Sequence, residues 1–152
     1  LKSFKGLAHR HEVFCKKNNK IFINDSKATS FQSSKFALIN NKNIFWIVGG
    51  LPKIRDKLEL AQVRKNIIKT YIIGKHMKSF KKYLKNQVNF KLCKTMKNAV
   101  ASIFKDTKNI KDKDITVLLS PASASYDQFK NFEERGNTFK KLIKNFIKKN
   151  FS

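Results

Sequence analysis

The sequence predicts an α/β fold, a mostly parallel sheet of about six strands with helices on both faces, entered through an N-terminal hairpin. Three observations carry that prediction. The runs Ile21–Ile23, Ile44–Val48 and Ile115–Leu119 are short, β-branched or aromatic, and nearly without a polar face, as strands covered on both sides are. Segments with apolar residues three and four apart alternate with them, most regularly Met96, Ala99, Val100, Ile103 and Phe104. Polar clusters follow three of the apolar runs, so they sit at the carboxyl edge of the sheet, where open α/β folds bind ligands.

In chain order, Val13–Lys17, Asn18-Asn19 and Lys20–Ile23 read as strand, turn and strand. A helix from the cap-type Thr29 to Asn40 would bury Phe31, Phe36 and either Leu38 or Ile39. Asn43–Val48 is a buried strand, Leu58–Asn66 a helix, and Ile68–Ile73 a strand ending at Gly74. Met77, Phe80 and Leu84 mark a helix face, Val88–Cys93 a shorter strand, and Ile115–Leu119 the last strand. Phe139, Leu142, Ile143, Phe146 and Ile147 mark a closing helix whose outer face carries Lys140, Lys141, Lys144, Lys148 and Lys149. Such a helix packs on its own sheet more often than on a membrane. The alternation is that of a Rossmann-like fold, in a single domain over residues 1–152, with no internal repeat or low-complexity linker.

Composition narrows the function. With 41% hydrophobic residues and 14 Phe, the chain has ample core material. No apolar run approaches the about 18 residues of a membrane span. The start, Leu1-Lys2-Ser3-Phe4-Lys5, has no signal-peptide layout and lacks Met, which suggests a piece of a longer chain. Cys15 and Cys93 suit a reducing cytoplasm. The net charge of +24 invites a polyanion-binding reading. Only Arg10, Arg55, Arg64 and Arg135 among the 34 basic residues are arginines, however, and base-edge readers favour arginine. Lysines spread over every helix among Asn, Ile and Phe point instead to compositional bias, with no specific nucleic acid as partner.

The polar clusters are ligand-like. Ile23–Thr29 sets Asp25, Ser26, Lys27 and Thr29 directly behind a strand. Lys27 offers a compact charge for phosphate oxygens, and Asp25 an acceptor for a ribose or a base edge. Read blandly, Asp25 or Thr29 is a helix cap and Lys27 a surface lysine. Gly49-Gly50 lets a ligand approach the backbone ahead of Lys53. Ser123, Ser125 and Asp127 have no histidine to complete a hydrolase triad. His9 and His11 would point opposite ways if extended, and no third metal ligand lies nearby. Glu12 could pair with Arg10 at the surface, and His76 reads as a helix-surface residue. There is neither a Gly-x-x-x-x-Gly-Lys-Ser/Thr phosphate loop nor a Gly-x-Gly-x-x-Gly fingerprint.

Gly6–Glu12, Asn24–Thr29, Gly49-Gly50 with Lys53, Ser120–Phe129, Asn131–Glu133 and Arg135-Gly136 together resemble the Mur ligase family, in its order and spacing, from residue 6 to about 140. The Asn24–Thr29 and Asp127–Glu133 blocks resemble the branch that adds D-glutamate. Ala8 stands where a proline is usual and Ser123 where a cysteine is usual. The resemblance implies a C-terminal domain, with the UDP-binding and ATPase domains outside this chain. It implies ATP and Mg²⁺ in the full enzyme, none bound by this domain alone, and D-glutamate and UDP-N-acetylmuramoyl-L-alanine as partners. It further implies that Arg10, Asp25, Lys27 and the adjacent His9 serve ATP, with Lys27 catalytic. Thr29, Lys53, Ser125 and the backbone near Phe132 would serve D-glutamate.

Overall fold

The computed structural model describes residues 7–53 and 59–151. Gly6, Arg55 and Leu58, which enter the sequence reading, lie outside the described residues. Six strands form one sheet: β1 (Glu12–Lys17), β2 (Lys20–Asn24), β3 (Ile44–Gly49), β4 (Ile67–Ile73), β5 (Phe90–Lys94) and β6 (Ile115–Leu119). Their order is β1-β2-β6-β3-β4-β5, with β1 antiparallel to β2 and every other pair parallel. Among the described residues, α1 (Phe31–Ile39), α2 (Met77–Leu84) and α3 (Met96–Thr107) lie between parallel strands, and α4 (Phe132–Phe151) follows β6.

The strand alternation divides the core into two layers. Ile23, Trp46, Val48 and Leu118 face one side and pack with Phe31, Ala37 and Leu38 of α1 and Phe80 and Leu84 of α2. Phe22, Phe45, Ile47, Val117 and Leu119 face the other, against Ala99, Val100 and Ile103 of α3 and Phe139 and Ile143 of α4. The expected α/β architecture, with helices on both faces and an entry hairpin, is what the chain adopts.

Three local expectations are corrected. The first helix begins at Phe31 rather than Thr29, because the Ser30 side chain accepts a hydrogen bond from the Ser33 N–H and caps it. Its buried face is Phe31, Ser34, Ala37 and Leu38, while Phe36 is 60% and Ile39 52% exposed. Ser34 takes the inner position because α1 approaches the end of β6 closely, and its hydroxyl donates to the Ser120 carbonyl at 3.3 Å. The helix expected over Leu58–Asn66 is instead a turn through Ala61–Val63 and a 3₁₀ segment, Arg64–Asn66. One turn suffices to bury Leu60 and Val63, three residues apart. The shorter strand runs Phe90–Lys94, two residues later than the apolar run suggests, since the Val88 N–H still bonds the Leu84 carbonyl behind α2.

β6 lies between β2 and β3, so the chain reverses its direction of winding there. The connection leaving β2 builds α1 on one face, and the one leaving β6 builds α4 on the other. Adjacent strands whose outgoing chains part to opposite faces open a crevice at their carboxyl ends. The three polar clusters converge on that crevice.

Candidate functional site

The segment before β1 is turned by two residues in the left-handed region, His9 (φ 65°) and His11 (φ 44°). Non-glycine residues seldom adopt it, and such strain gathers at functional sites. The expectation that these histidines point apart on an extended chain is therefore replaced by a tight turn, in which the Arg10 N–H bonds the Leu7 carbonyl. The turn leaves Arg10 exposed and sends the two rings to different partners. His11 meets Asn41 through Nε2 at 3.0 Å and sets its ring edge-on to Phe36 at 5.4 Å. His9 is buried, with Nδ1 2.9 Å from the Asn24 amide and its ring edge-on to Phe132 at 5.9 Å.

Arg10, His11, Asp25, Lys27, Ala28, Ser33 and Phe36 line a cleft of about 610 Å³ at the carboxyl end of β2. Arg10, Asp25 and Lys27, distant in type but predicted to share one ligand, are thus brought together. His9 is not in that lining. Asp25 is 5% exposed, and both oxygens have partners: Oδ1 accepts the His11 N–H at 2.9 Å, Oδ2 the Ser120 hydroxyl at 2.7 Å. Burial pushes its carboxyl above the usual range, against the pull of those two bonds and of the nearby His11 and Arg10. The pair of bonds pins the first turn to β2 and β6 and holds one acidic wall of the cleft fixed. Lys27 is exposed, its N–H donates to the His9 carbonyl at 2.9 Å, and its ammonium lies over the Phe132 ring at 5.5 Å.

The remaining predicted residues occupy the neighbouring strand ends. Gly49 and Gly50 have φ of 134° and 140°, and a Cβ on Gly49 would lie 2.1 Å from the Ile73 carbonyl oxygen. Only glycine lets β3 pass β4 so closely. The chain then bonds across the crevice, Leu51 N–H to the Ala124 carbonyl at 2.8 Å and Ala124 N–H to the Leu51 carbonyl at 3.1 Å. The segments carrying Lys53 and Ser125 are therefore tied to each other. Lys53 is exposed, Thr29 half-buried and Ser125 buried. Phe132 stands apart from them at the start of α4, beneath Lys27, and its carbonyl accepts the Ser26 hydroxyl at 2.7 Å.

Several residues assigned no ligand role from the sequence organise this edge. Arg135 is 1% exposed and bonds Ser26 and the Ser123 carbonyl. Asn24 donates to Glu12 Oε1 at 3.0 Å, and Glu12 also receives the His9 N–H and the Lys140 ammonium, each at 3.0 Å. Burial alone would raise the Glu12 carboxyl, but these donors outweigh it and hold it below the usual range. Glu12 thus pairs with Lys140 of α4 rather than with Arg10. Asp127 accepts the Lys75 N–H at 2.9 Å, fastening the loop after β6 to the end of β4. The signal for all of these was proximity to the polar blocks; their roles depend on contacts between segments far apart in sequence. Among the described residues no group of three His, Cys, Asp or Glu could hold a metal ion.

No protein-family model matches the chain. It is 42% identical over 143 residues to the UDP-N-acetylmuramoylalanine–D-glutamate ligase of Wolbachia sp. subsp. Brugia malayi, covering 94% of the chain and 28% of that relative. It is 42% identical over 144 residues to the ligase of the same name from Nitrobacter hamburgensis (95% of the chain, 31% of the relative). The identity is 43% over 139 residues with that of Bartonella henselae (91% and 30%). The chain therefore spans about a third or less of the length of the curated relatives it matches. Among solved structures, bifunctional folylpolyglutamate synthase/dihydrofolate synthase from Yersinia pestis, complexed with AMPPNP and Mn, shares the fold at a TM-score of 0.54. That match has 12% identity and covers 91% of the chain and 32% of the enzyme. Over nearly its whole length the chain is thus similar to one segment of the ligases of this name, in agreement with the Mur ligase resemblance of its polar blocks.

Proposed function

We propose that the chain is the C-terminal domain of an ATP-dependent ligase that adds D-glutamate to UDP-N-acetylmuramoyl-L-alanine in the cytoplasm, for peptidoglycan precursor synthesis. The observation that carries this reading is the cleft in which Arg10, Asp25 and Lys27 meet, in a chain 42% identical to ligases of that name. The two cations suit phosphate oxygens, and the fixed Asp25 carboxylate suits a hydroxyl or amino donor of a nucleotide. ATP fits this donor set as substrate, with Lys27 placed to meet negative charge developing on the transferred phosphoryl group. Mg²⁺ ligands are assigned to the ATPase domain of the full enzyme, as the described residues offer no set of three.

In this reading the carboxylate of UDP-N-acetylmuramoyl-L-alanine becomes an acyl phosphate, and the D-glutamate amine displaces phosphate to form the peptide bond. The segments tied at Leu51 and Ala124 present Lys53 and Ser125 to the D-glutamate carboxylates, with Thr29 contributing from the end of β2 and the backbone near Phe132 from the Lys27 side of the crevice. The domain's contribution is orientation and charge, which account for most of the rate gain in such transfers. His9 supports Asn24 and Phe132 beside the ATP cleft.

The test is phosphate release by the full-length protein encoding this chain. It is expected to require both D-glutamate and UDP-N-acetylmuramoyl-L-alanine, and the 152-residue chain alone is expected to show none. Turnover by the chain alone, or full-length turnover indifferent to D-glutamate, would sink the assignment. The polyanion-binding alternative gains no support from the relatives, which are ligases by name.

A further inference from the structure

A second cleft, of about 840 Å³, lies at the opposite edge of the sheet, where β2 starts and α3 and α4 end. Its apolar wall is Ala101, Phe104 and Phe146. Phe104 is stacked on Phe146 at 5.2 Å and on the buried Phe22 at 6.0 Å, with interplanar angles of 17° and 16°, so this wall is rigid. Its polar rim holds lysines and asparagines, and no carboxylate lines it.

Lys105 lies in the last turn of α3 and Lys108 caps it, where a cation offsets the helix dipole, so their presence needs no ligand. Lys20 has no such explanation. It is a strand residue, 6% exposed, whose ammonium has a single hydrogen-bond partner among the described residues, Asn19 Oδ1 at 3.5 Å. The Asn19 amide is itself committed to the carbonyls of Ile110 and Lys113. Burial lowers the pKa of Lys20, and the charge of Lys111 lowers it further. An ammonium that opens into a cleft lined by further lysines and by no carboxylate offers a place for an anion.

We propose that this cleft binds an organic phosphate of mononucleotide size, with the phosphate between Lys20 and Lys111 and the flat apolar part along Phe104 and Phe146. The volume lies within the usual range for small-molecule sites. Lysine is a point-charge ligand for phosphate, and an aromatic wall suits a planar ring. The site shares no lining residue with the Arg10–Lys27 cleft and lies at the other end of the strands, so it is additional to the ATP site.

The experiment follows amide chemical shifts of the isotope-labelled chain as adenosine 5′-monophosphate is added at physiological ionic strength. Saturable shifts are expected at Lys20, Phe104 and Phe146. Lys20→Met and Lys111→Ala should each weaken the binding about tenfold, the loss of one charge-assisted contact. Lys27→Ala should leave these shifts in place, and inorganic phosphate alone should bind at least about tenfold more weakly than the nucleotide. Lys111 is exposed, so its variant tests the proposal even if Lys20→Met folds poorly. Absent or non-saturating shifts, binding indifferent to Lys111→Ala, or equal affinity for phosphate and nucleotide would each overturn it.

Discussion

Arg135 holds Ser26 at two points: Nε donates to the serine hydroxyl at 2.9 Å and Nη2 to its carbonyl at 2.6 Å. A third bond, Nη1 to the Ser123 carbonyl at 2.9 Å, completes the fork. One buried guanidinium thus couples the loop after β2, which carries Lys27, to the loop after β6, which carries Ser125. Burial lowers its pKa to about 10, partly countered by Asp127, so the group stays charged at neutral pH.

Arg135→Met should lower unfolding free energy by about 2–4 kcal/mol, because it leaves two inward carbonyls and a hydroxyl without their donor. Urea denaturation at pH 7 measures this. A change below about 0.5 kcal/mol, within ordinary surface effects, would mean that the fork is not what ties the loops.

Acid should destabilise the chain through His9. Its folded pKa is lowered from 6.5, first by burial and then by the Lys140 charge, although Glu12, Glu133 and Asn24 oppose the shift. The unfolded state therefore binds the proton more readily. The contribution is fully present above 6.5 and is lost as pH falls toward the folded value. Glu12 acts in the same sense, below its ordinary 4.5, whereas Asp25, raised above 3.8, acts in the opposite sense. Unfolding free energies at pH 7.5 and 5.5 should differ less in His9→Gln than in the parent chain. An unchanged difference would exclude His9 as the source.

Thr70 is fully buried, and its Oγ1 has no hydrogen-bond partner among the described residues. Valine has nearly the same shape without the hydroxyl. Thr70→Val should raise stability by about 0.5–2 kcal/mol, seen as a higher denaturation midpoint at an unchanged m-value. A fall in the midpoint would show that the hydroxyl is satisfied.

On the proposed function, Lys53→Ala and Ser125→Ala in the full-length protein should chiefly raise the KM for D-glutamate. Loss of one charge-assisted bond, about 1.5–3 kcal/mol, predicts a roughly 10- to 150-fold fall in kcat/KM for Lys53→Ala. Lys27→Ala should lower kcat instead, since a phosphate contact strengthens as charge develops. Steady-state rates with each substrate varied in turn separate the two. A D-glutamate KM that responds to Lys27→Ala but not to Lys53→Ala would reverse the division between the strand ends.

Sequence by itself determined the architecture. Apolar runs such as Ile44–Val48 and Ile115–Leu119 have no polar face to expose, so they had to become strands covered on both sides, and Met96–Phe104 had a single helical stripe. The polar blocks behind those strands likewise had to lie at the carboxyl edge. Tertiary structure alone decided which face α1 buries, because Phe36 and Ser34 compete for the core and only the approach to Ser120 favours the serine. It alone decided that Arg10, Asp25 and Lys27 share one cleft while His9 turns inward, since that depends on two left-handed residues held by β2. It also decided the partners of Arg135 and Lys20. A side chain's charge is written in the sequence, but whether it is exposed, paired or buried alone depends on segments up to more than a hundred residues away.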